Sequence, residues 1–140
     1  MKNWVVFAFI SMLFAGLTSV IAKFGLKNIT GDLGVAIRTS AVLIFVWVNV
    51  LLFGHTKHLP ALTKTDLLFL VFSGLTTALS WIFYYKAIKI GEVSVVAGID
   101  KASLVVTILL SFWLLREPLT LKMVVGVLLI LAGTIVLAWK

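Results

Sequence analysis

Cysteine is absent from the chain, which removes disulfide frameworks, thiolate zinc sites and cysteine nucleophiles and leaves the redox compartment unreadable. Acidic residues are nearly as scarce: 5 Asp plus Glu stand against 12 Lys plus Arg, and only 12% of the 140 residues are charged. An ordinary soluble domain is about a quarter charged and about half apolar. Here 62% of the residues are hydrophobic, too many for the remaining polar groups to cover a water-soluble fold. The net charge of +7 does not mark a nucleic-acid partner, because the basic residues fall singly between apolar runs and form no cluster. His55 and His58 lie in a polar stretch beside Pro60 with no carboxylate at ligand spacing, so they read as loop and no metal site is expected. No nucleophile, base and orienting group share a face, and no glycine loop suited to phosphates is present. Neither an enzyme nor a cofactor is expected.

What is abundant is apolar sequence in long runs. A helix of about 20 predominantly apolar residues crosses a hydrocarbon core of roughly 30 Å. Five segments meet that length: Trp4 to about Ala22, Leu33 to Phe53, Leu67 to Ile88, about Val93 to Leu115, and Leu121 to Trp139. The connections between them are short and rich in turn residues, such as Lys27-Asn28-Ile29-Thr30-Gly31-Asp32 and Arg116-Glu117-Pro118. The expectation is an all-α integral membrane protein, one five-helix domain over residues 1–140. The first segment follows Lys2 as a signal peptide would, but it exceeds the usual length of a signal h-region and four more spans follow, so it counts as mature structure.

An odd number of spans puts the two ends of the chain on opposite sides of the membrane. Basic residues in the loops should choose the sides. Lys2, Lys57, Lys64, Arg116 and Lys122 give five on one side, and Lys23, Lys27, Lys86, Lys89 and Lys140 give five on the other. The count is tied. Such a tie suits a chain that inserts both ways up, with opposed copies pairing about an axis in the membrane plane. Alternatively, a small count is tied by chance and a partner decides the orientation.

Polar groups inside the spans then carry the functional reading. Ser73, Thr77, Ser80 and Tyr84 recur at helical spacing on the third span, and Asp100, Ser103, Thr107 and Ser111 do so on the fourth. Arg38 and Asn49, eleven residues apart, share a face of the second, and Ser11, Thr18 and Ser19 mark the first. Spans one to four are expected to wall a polar interior, with the fifth, which offers only Thr134, at the periphery. The competing reading is that the hydroxyls bond their own i−4 carbonyls and help helices pack.

Charge inside a span weighs more, since it costs about 2.5–3.5 kcal/mol at the bilayer centre even on a lenient scale. Asp100 lies roughly 10 Å into the fourth span by helical rise and is too short to reach out to water. It is the candidate coupling residue, held either by protonation or by a cation. Lys101 points about 100° away on an ideal helix. Arg38, or a residue of a second copy, is therefore an equal candidate for its partner. Lys23 and Lys86 lie near span ends and should snorkel. Trp81, Tyr84 and Tyr85 form either an aromatic wall or an interfacial belt, and Trp81 is the deepest of them. Gly98 should weaken the helix just before Asp100. Gly126 and Gly133, seven residues apart on the fifth span, form a groove proposed as a dimer contact, with packing inside the chain as the alternative.

Taken together, Ala15-Gly16-Leu17-Thr18-Ser19, Ala36-Ile37-Arg38-Thr39, the run from Ser80 to Ala87, Ile99-Asp100-Lys101 and Leu115-Arg116-Glu117-Pro118 resemble the EamA-type branch of the drug/metabolite transporter superfamily. The likeness is to its half-length, five-span bacterial and archaeal members and covers nearly the whole chain. Relatives are expected to carry Pro where this chain has Gly98. The resemblance implies secondary transport, with each chain supplying one half of an inverted-repeat ten-helix fold. The small multidrug exporters have an acidic residue in the first span that this chain lacks, so their proton-coupled export of cationic drugs does not carry over.

The combined expectation is an antiparallel homodimeric carrier in a prokaryotic plasma membrane, moving a small polar or amphipathic metabolite. Asp100, Lys101, Arg38, Trp81, Tyr84, Tyr85, Ser80 and Asn49 are the candidate substrate-binding residues. Arg38, Asp100 and Lys101 sum to +1 per copy, which favours an anionic or zwitterionic substrate. The alternatives are a non-transporting membrane subunit that stabilises a partner, and a lipid or lipid-sugar flippase.

Overall fold

A computed structural model describes residues 3–139. Lys2 and Lys140, which entered the charge count, lie outside the described residues. Six α-helices follow one another: α1 (Asn3–Gly25), α2 (Gly31–Leu52), α3 (Lys64–Ile90), α4 (Val93–Asp100), α5 (Ser103–Leu114) and α6 (Leu121–Ala138), with a 3₁₀ segment at His55–Ala61. Five stretches are long and apolar enough to cross a membrane: α1, α2, α3, α4 continued by α5, and α6. By contacts the chain forms two compact units, one holding the residues up to Val20 and those from Ile90 onward, the other Ile21–Lys89.

Threonine starts three of the helices. Thr30 Oγ1 accepts from Leu33 N at the head of α2, and Thr120 Oγ1 accepts from Met123 N at the head of α6, both at 3.3 Å. At the head of α3 the cap is reciprocal. Asp66 N donates to Thr63 Oγ1 at 3.1 Å, and Asp66 Oδ2 accepts from Thr63 N at 3.1 Å and from its hydroxyl at 2.6 Å. At its other end α2 stops at Gly54, whose φ of +65° is left-handed backbone that glycine takes without a Cβ penalty. Pro60 then sits in the 3₁₀ segment that leads to α3.

In the Ile21–Lys89 unit the tight packing gathers where the end of α1, the start of α2 and the end of α3 meet. Leu26, Val35, Tyr85 and Ile88 are its buried hydrophobic side chains, Ile88 fully. The sequence reads Gly31 as a turn residue, but it is the first residue of α2 and lies against the α3 backbone. A Cβ there would stand 3.0 Å from Lys86 N and from Tyr85 C and O. The lysines expected to snorkel are held here instead. Lys86 pairs with Asp32 at 3.2 Å, and Lys23 Nζ donates to Ile88 O at 2.6 Å and to Lys89 O at 3.2 Å. Lys89 Nζ returns the arrangement by donating to Leu26 O, and to Lys27 O at 2.8 Å. Each of α1 and α3 thus has its carbonyl end capped by the other's lysine, where the helix dipole is negative.

In the other unit the fourth span does not run as one α-helix. After Asp100 the hydrogen bonds shorten to the i−3 pattern, Ala102 N to Ile99 O at 3.0 Å, Leu104 N to Lys101 O at 3.1 Å and Val105 N to Ala102 O at 3.0 Å, before α5 begins. α5 ends around Arg116, a non-glycine at φ +55°, with Glu117 N bonded to Ser111 O at 3.3 Å and Pro118 preventing continuation. The fifth span is not peripheral within this unit: α6 packs on α4. Thr134 Oγ1 donates to Gly98 O at 3.2 Å, and a Cβ at Gly98 would meet Leu137 Cδ1 at 2.7 Å. Gly98 therefore permits close approach of two helices, and the tightening of the backbone follows it.

Candidate functional site

Two constellations bring the sequence candidates together, one in each unit. In the Ile21–Lys89 unit the guanidinium of Arg38 stands 4.0 Å from the centre of the Trp81 ring and 5.7 Å from that of Tyr85. Arg38 is seven residues beyond Gly31, about 10 Å along α2, and Trp81 is nine residues before the end of α3. A snorkelling arginine would extend toward the level of Asp32 and Lys86. This one remains over the deeper indole.

Its electrostatic balance is incomplete. Arg38 Nη1 is buried and has no hydrogen-bond partner among the described residues. Of the two acids in this unit, Asp32 is engaged by Lys86 and Asp66 by Thr63. A guanidinium over an aromatic face gains about 0.5–2 kcal/mol from the ring quadrupole. An unsatisfied buried donor costs a similar or larger amount, more when charged. Tyr85 is part of the buried core at 3% exposure, so it supports the arginine from below and presents little ring area of its own. Tyr84 lies 6.3 Å from Tyr85, ring centre to ring centre. Ser80 is exposed on the turn before Trp81. Asn49 is exposed on α2 and, eleven residues from Arg38, stands about 16 Å farther along the helix, so it is no part of this cluster.

In the other unit Asp100 is the last residue of α4 and pairs with the adjacent Lys101, whose Nζ lies 3.7 Å from Oδ2. The tightened backbone and the long stem let Lys101 reach back, where an ideal helix would point it away. Lys101 also lines an open groove of about 860 Å³ between α1 and α4. Ser11, Ser19 and Ser94 add polar groups to walls otherwise made by residues such as Met12, Val20 and Ala97. A cation and a few hydroxyls in an apolar groove can orient an amphipathic solute.

Several hydroxyls of the aligned stripes bond to their own helices. Thr76 and Thr77 donate to Ser73 O at 2.9 and 2.8 Å, Thr107 to Ser103 O at 3.1 Å, and Thr18 to Phe14 O at 2.8 Å. Their donors are satisfied without a polar chamber, although the oxygen of each can still accept. A Cβ at Gly126 or Gly133 would meet nothing within 4 Å, so space stands open beside both. The capping lysines Lys23 and Lys89 and the helix-joining Thr134 were not singled out for these contacts by sequence. Lysine in the last turn of each helix was the available signal for the first two.

The model of the EamA-like transporter family matches residues 2–139. The chain belongs to that family. This EamA-like protein is also similar to an "Uncharacterized transporter in cobO 3'region" from Sinorhizobium sp., 36% identical over 137 residues that make up 98% of this chain and 97% of the relative. No solved structure matches it. With five apolar spans and this family membership, the EamA-like chain is a multi-pass, all-helical membrane protein of a transporter family. Family and relative point toward transport and not toward catalysis.

Proposed function

We propose that residues 1–140 act as a single five-helix domain that pairs as an antiparallel homodimer in a prokaryotic plasma membrane. The dimer carries a small polar or amphipathic metabolite by alternating access. The observation that carries this reading is the interrupted fourth span. Asp100 and Lys101 stand where the helix tightens, and Lys101 lines the groove along α1 and α4. Departures from α-helix at membrane depth are tolerated where they are buried in protein or line a cavity, and intramembrane ionisable groups mark solute and ion pathways. Asp100 is the coupling residue, paired with Lys101 at 3.7 Å where Lys101 meets the groove. Within the Ile21–Lys89 unit Arg38, Trp81, Tyr84 and Ser80 are substrate-facing, the buried Tyr85 backs Arg38, and Asn49 stands farther along α2; in the other unit, taken by itself, Lys101 is substrate-facing. The open space beside Gly126 and Gly133 supports a helix of a second copy as their neighbour.

Purified protein in liposomes tests the reading. Solute uptake should be driven by an imposed gradient, and Asp100→Asn should abolish coupling to pH while leaving exchange of solute for solute. Tags at the two ends should each be reached from outside in a fraction of the molecules. Hydroxyls bonded to their own helices favour one competing reading, a non-transporting subunit whose polar stripes are packing seams. Uptake of no solute, together with one fixed orientation, would establish that reading instead.

A further inference from the structure

The geometry points to Arg38 as the anchor for the carboxylate of a monoanionic substrate with an apolar or aromatic body. This deepens the carrier reading and rests on it. Several cations of this unit are already occupied. In the Ile21–Lys89 unit Lys86 is neutralised by Asp32, while Lys23 and Lys89 cap carbonyl ends. Lys27 sits over Phe24, 5.7 Å from its centre, in the loop region past α1. Arg38 is inside the span, and the two acids of its unit are engaged elsewhere.

A buried Nη1 is a donor that the described residues leave unsatisfied, and such groups in native structures call for an explanation. Trp81 lies against the guanidinium, its ring centre 4.0 Å from Cζ, and indole carries no hydrogen-bond acceptor atom to take the Nη1 proton. An incoming acceptor must therefore meet the edge of the fork, where two parallel N–H donors match the two oxygens of a carboxylate. A carboxylate bound at that edge carries its substituent beside the Trp81 indole, which selects an apolar or aromatic body. The charge count selects a monoanion. A phosphate group brings about −1.5 to −2 at neutral pH, and one uncompensated guanidinium leaves the remainder unpaired in a poorly solvating site. Holding the two helices together is not enough to explain the arginine, because Gly31 and the Asp32–Lys86 pair already join α2 to α3.

The test is ligand-dependent thermal stabilisation of the full chain in nanodiscs, which needs no transport. The probes are acetate, benzoate and indole-3-acetate, each against its amide, together with inorganic phosphate. Benzoate and indole-3-acetate should stabilise saturably, acetate more weakly, and the amides and phosphate not at all. Arg38→Met should weaken the apparent Kd for indole-3-acetate at least tenfold, and Arg38→Lys should fall between, keeping the charge without the fork. If Arg38→Met does not fold, quenching of Trp81 in a variant with the other tryptophans changed to Phe separates acid from amide in its place. Equal effects of acids and amides, wild-type affinity in Arg38→Met, no response to any of the three acids, or an Arg38-dependent response to phosphate or to phosphatidylglycerol in the disc would each overturn the assignment. Failure here alongside uptake of other solutes leaves the carrier standing. Acid binding without uptake leaves the anchor standing and removes the carrier.

Discussion

Gly31→Ala tests whether the contact between α2 and α3 organises the Ile21–Lys89 unit. The added methyl would lie 3.0 Å from three backbone atoms, Lys86 N and Tyr85 C and O. Hydrogen-bonded helix backbone cannot rotate aside as a side chain can. Carbon contacts settle near 3.5 Å or beyond, so the start of α2 must withdraw from α3 by about half an ångström. That motion lengthens the 3.2 Å Lys86–Asp32 pair and loosens the packing over Tyr85 and Ile88. Overpacking of this kind costs about 1–3 kcal/mol, and removing a helical glycine returns about 0.5–1 kcal/mol. The net expectation is a loss of about 1–2 kcal/mol in reversible unfolding by SDS in mixed micelles, followed by far-ultraviolet circular dichroism. Gly74→Ala on α3 is the control, because a Cβ there meets nothing within 4 Å, and it should be neutral or slightly stabilising. Equal stability of the two variants would refute the close-approach argument.

Three further perturbations address other joints. At Gly98 the obstructing atom is the flexible end of Leu137, 2.7 Å from the added Cβ, so Gly98→Ala should cost about 1–2 kcal/mol and Leu137→Ala should recover part of it. Strict additivity in that double-mutant cycle would remove the contact from the account. Lys23→Met and Lys89→Met each delete charged bonds to a carbonyl end, and each should cost about 1–2 kcal/mol, with faster amide exchange in the last turns of both α1 and α3. Exchange that rises in only one of the two helices would contradict the reciprocal capping. Thr63→Ala should cost about 1 kcal/mol and fray the first turn of α3, measured by amide exchange at Asp66 and Leu67, while Thr65→Ala should leave that turn unchanged.

The features legible in the sequence are those that one segment settles alone. Five apolar runs gave five spans. The caps at Thr30, Thr63 and Thr120 need only their own next turn, a local signal that went unread beside the apolar runs. Features that depend on a neighbouring helix were misread or unreadable. Gly31 looks like a turn residue until α3 is beside it, and Lys23 and Lys86 look like snorkelling cations until their carbonyl and carboxylate partners are placed. The fifth span looks peripheral because Thr134 is its one hydroxyl, yet that hydroxyl is the bond to α4. Among the site residues, Arg38 and Trp81 were singled out separately and the structure joins them. Asn49 shares a helical face with Arg38 but not its neighbourhood, because a face is about 16 Å long over eleven residues.

The distribution of satisfied and unsatisfied charge separates scaffold from site. Where α1, α2 and α3 meet, the cations that hold the helices have partners within their own unit, and removing one should change stability first. Arg38 has an aromatic support but no anion among the described residues, and Lys101 holds Asp100 at 3.7 Å, beyond hydrogen-bond range, while lining an open groove. Desolvating a charge without completing its bonds is costly in lipid, and the cost falls when a solute supplies the missing acceptor. Binding energy at such groups is therefore available to favour one conformation over another, as the proposed alternating access requires. The fully partnered lysines have none to offer. On this argument, substitutions at Arg38 or Asp100 should change solute dependence more than folding, and substitutions at Lys23, Lys86 or Lys89 should do the reverse.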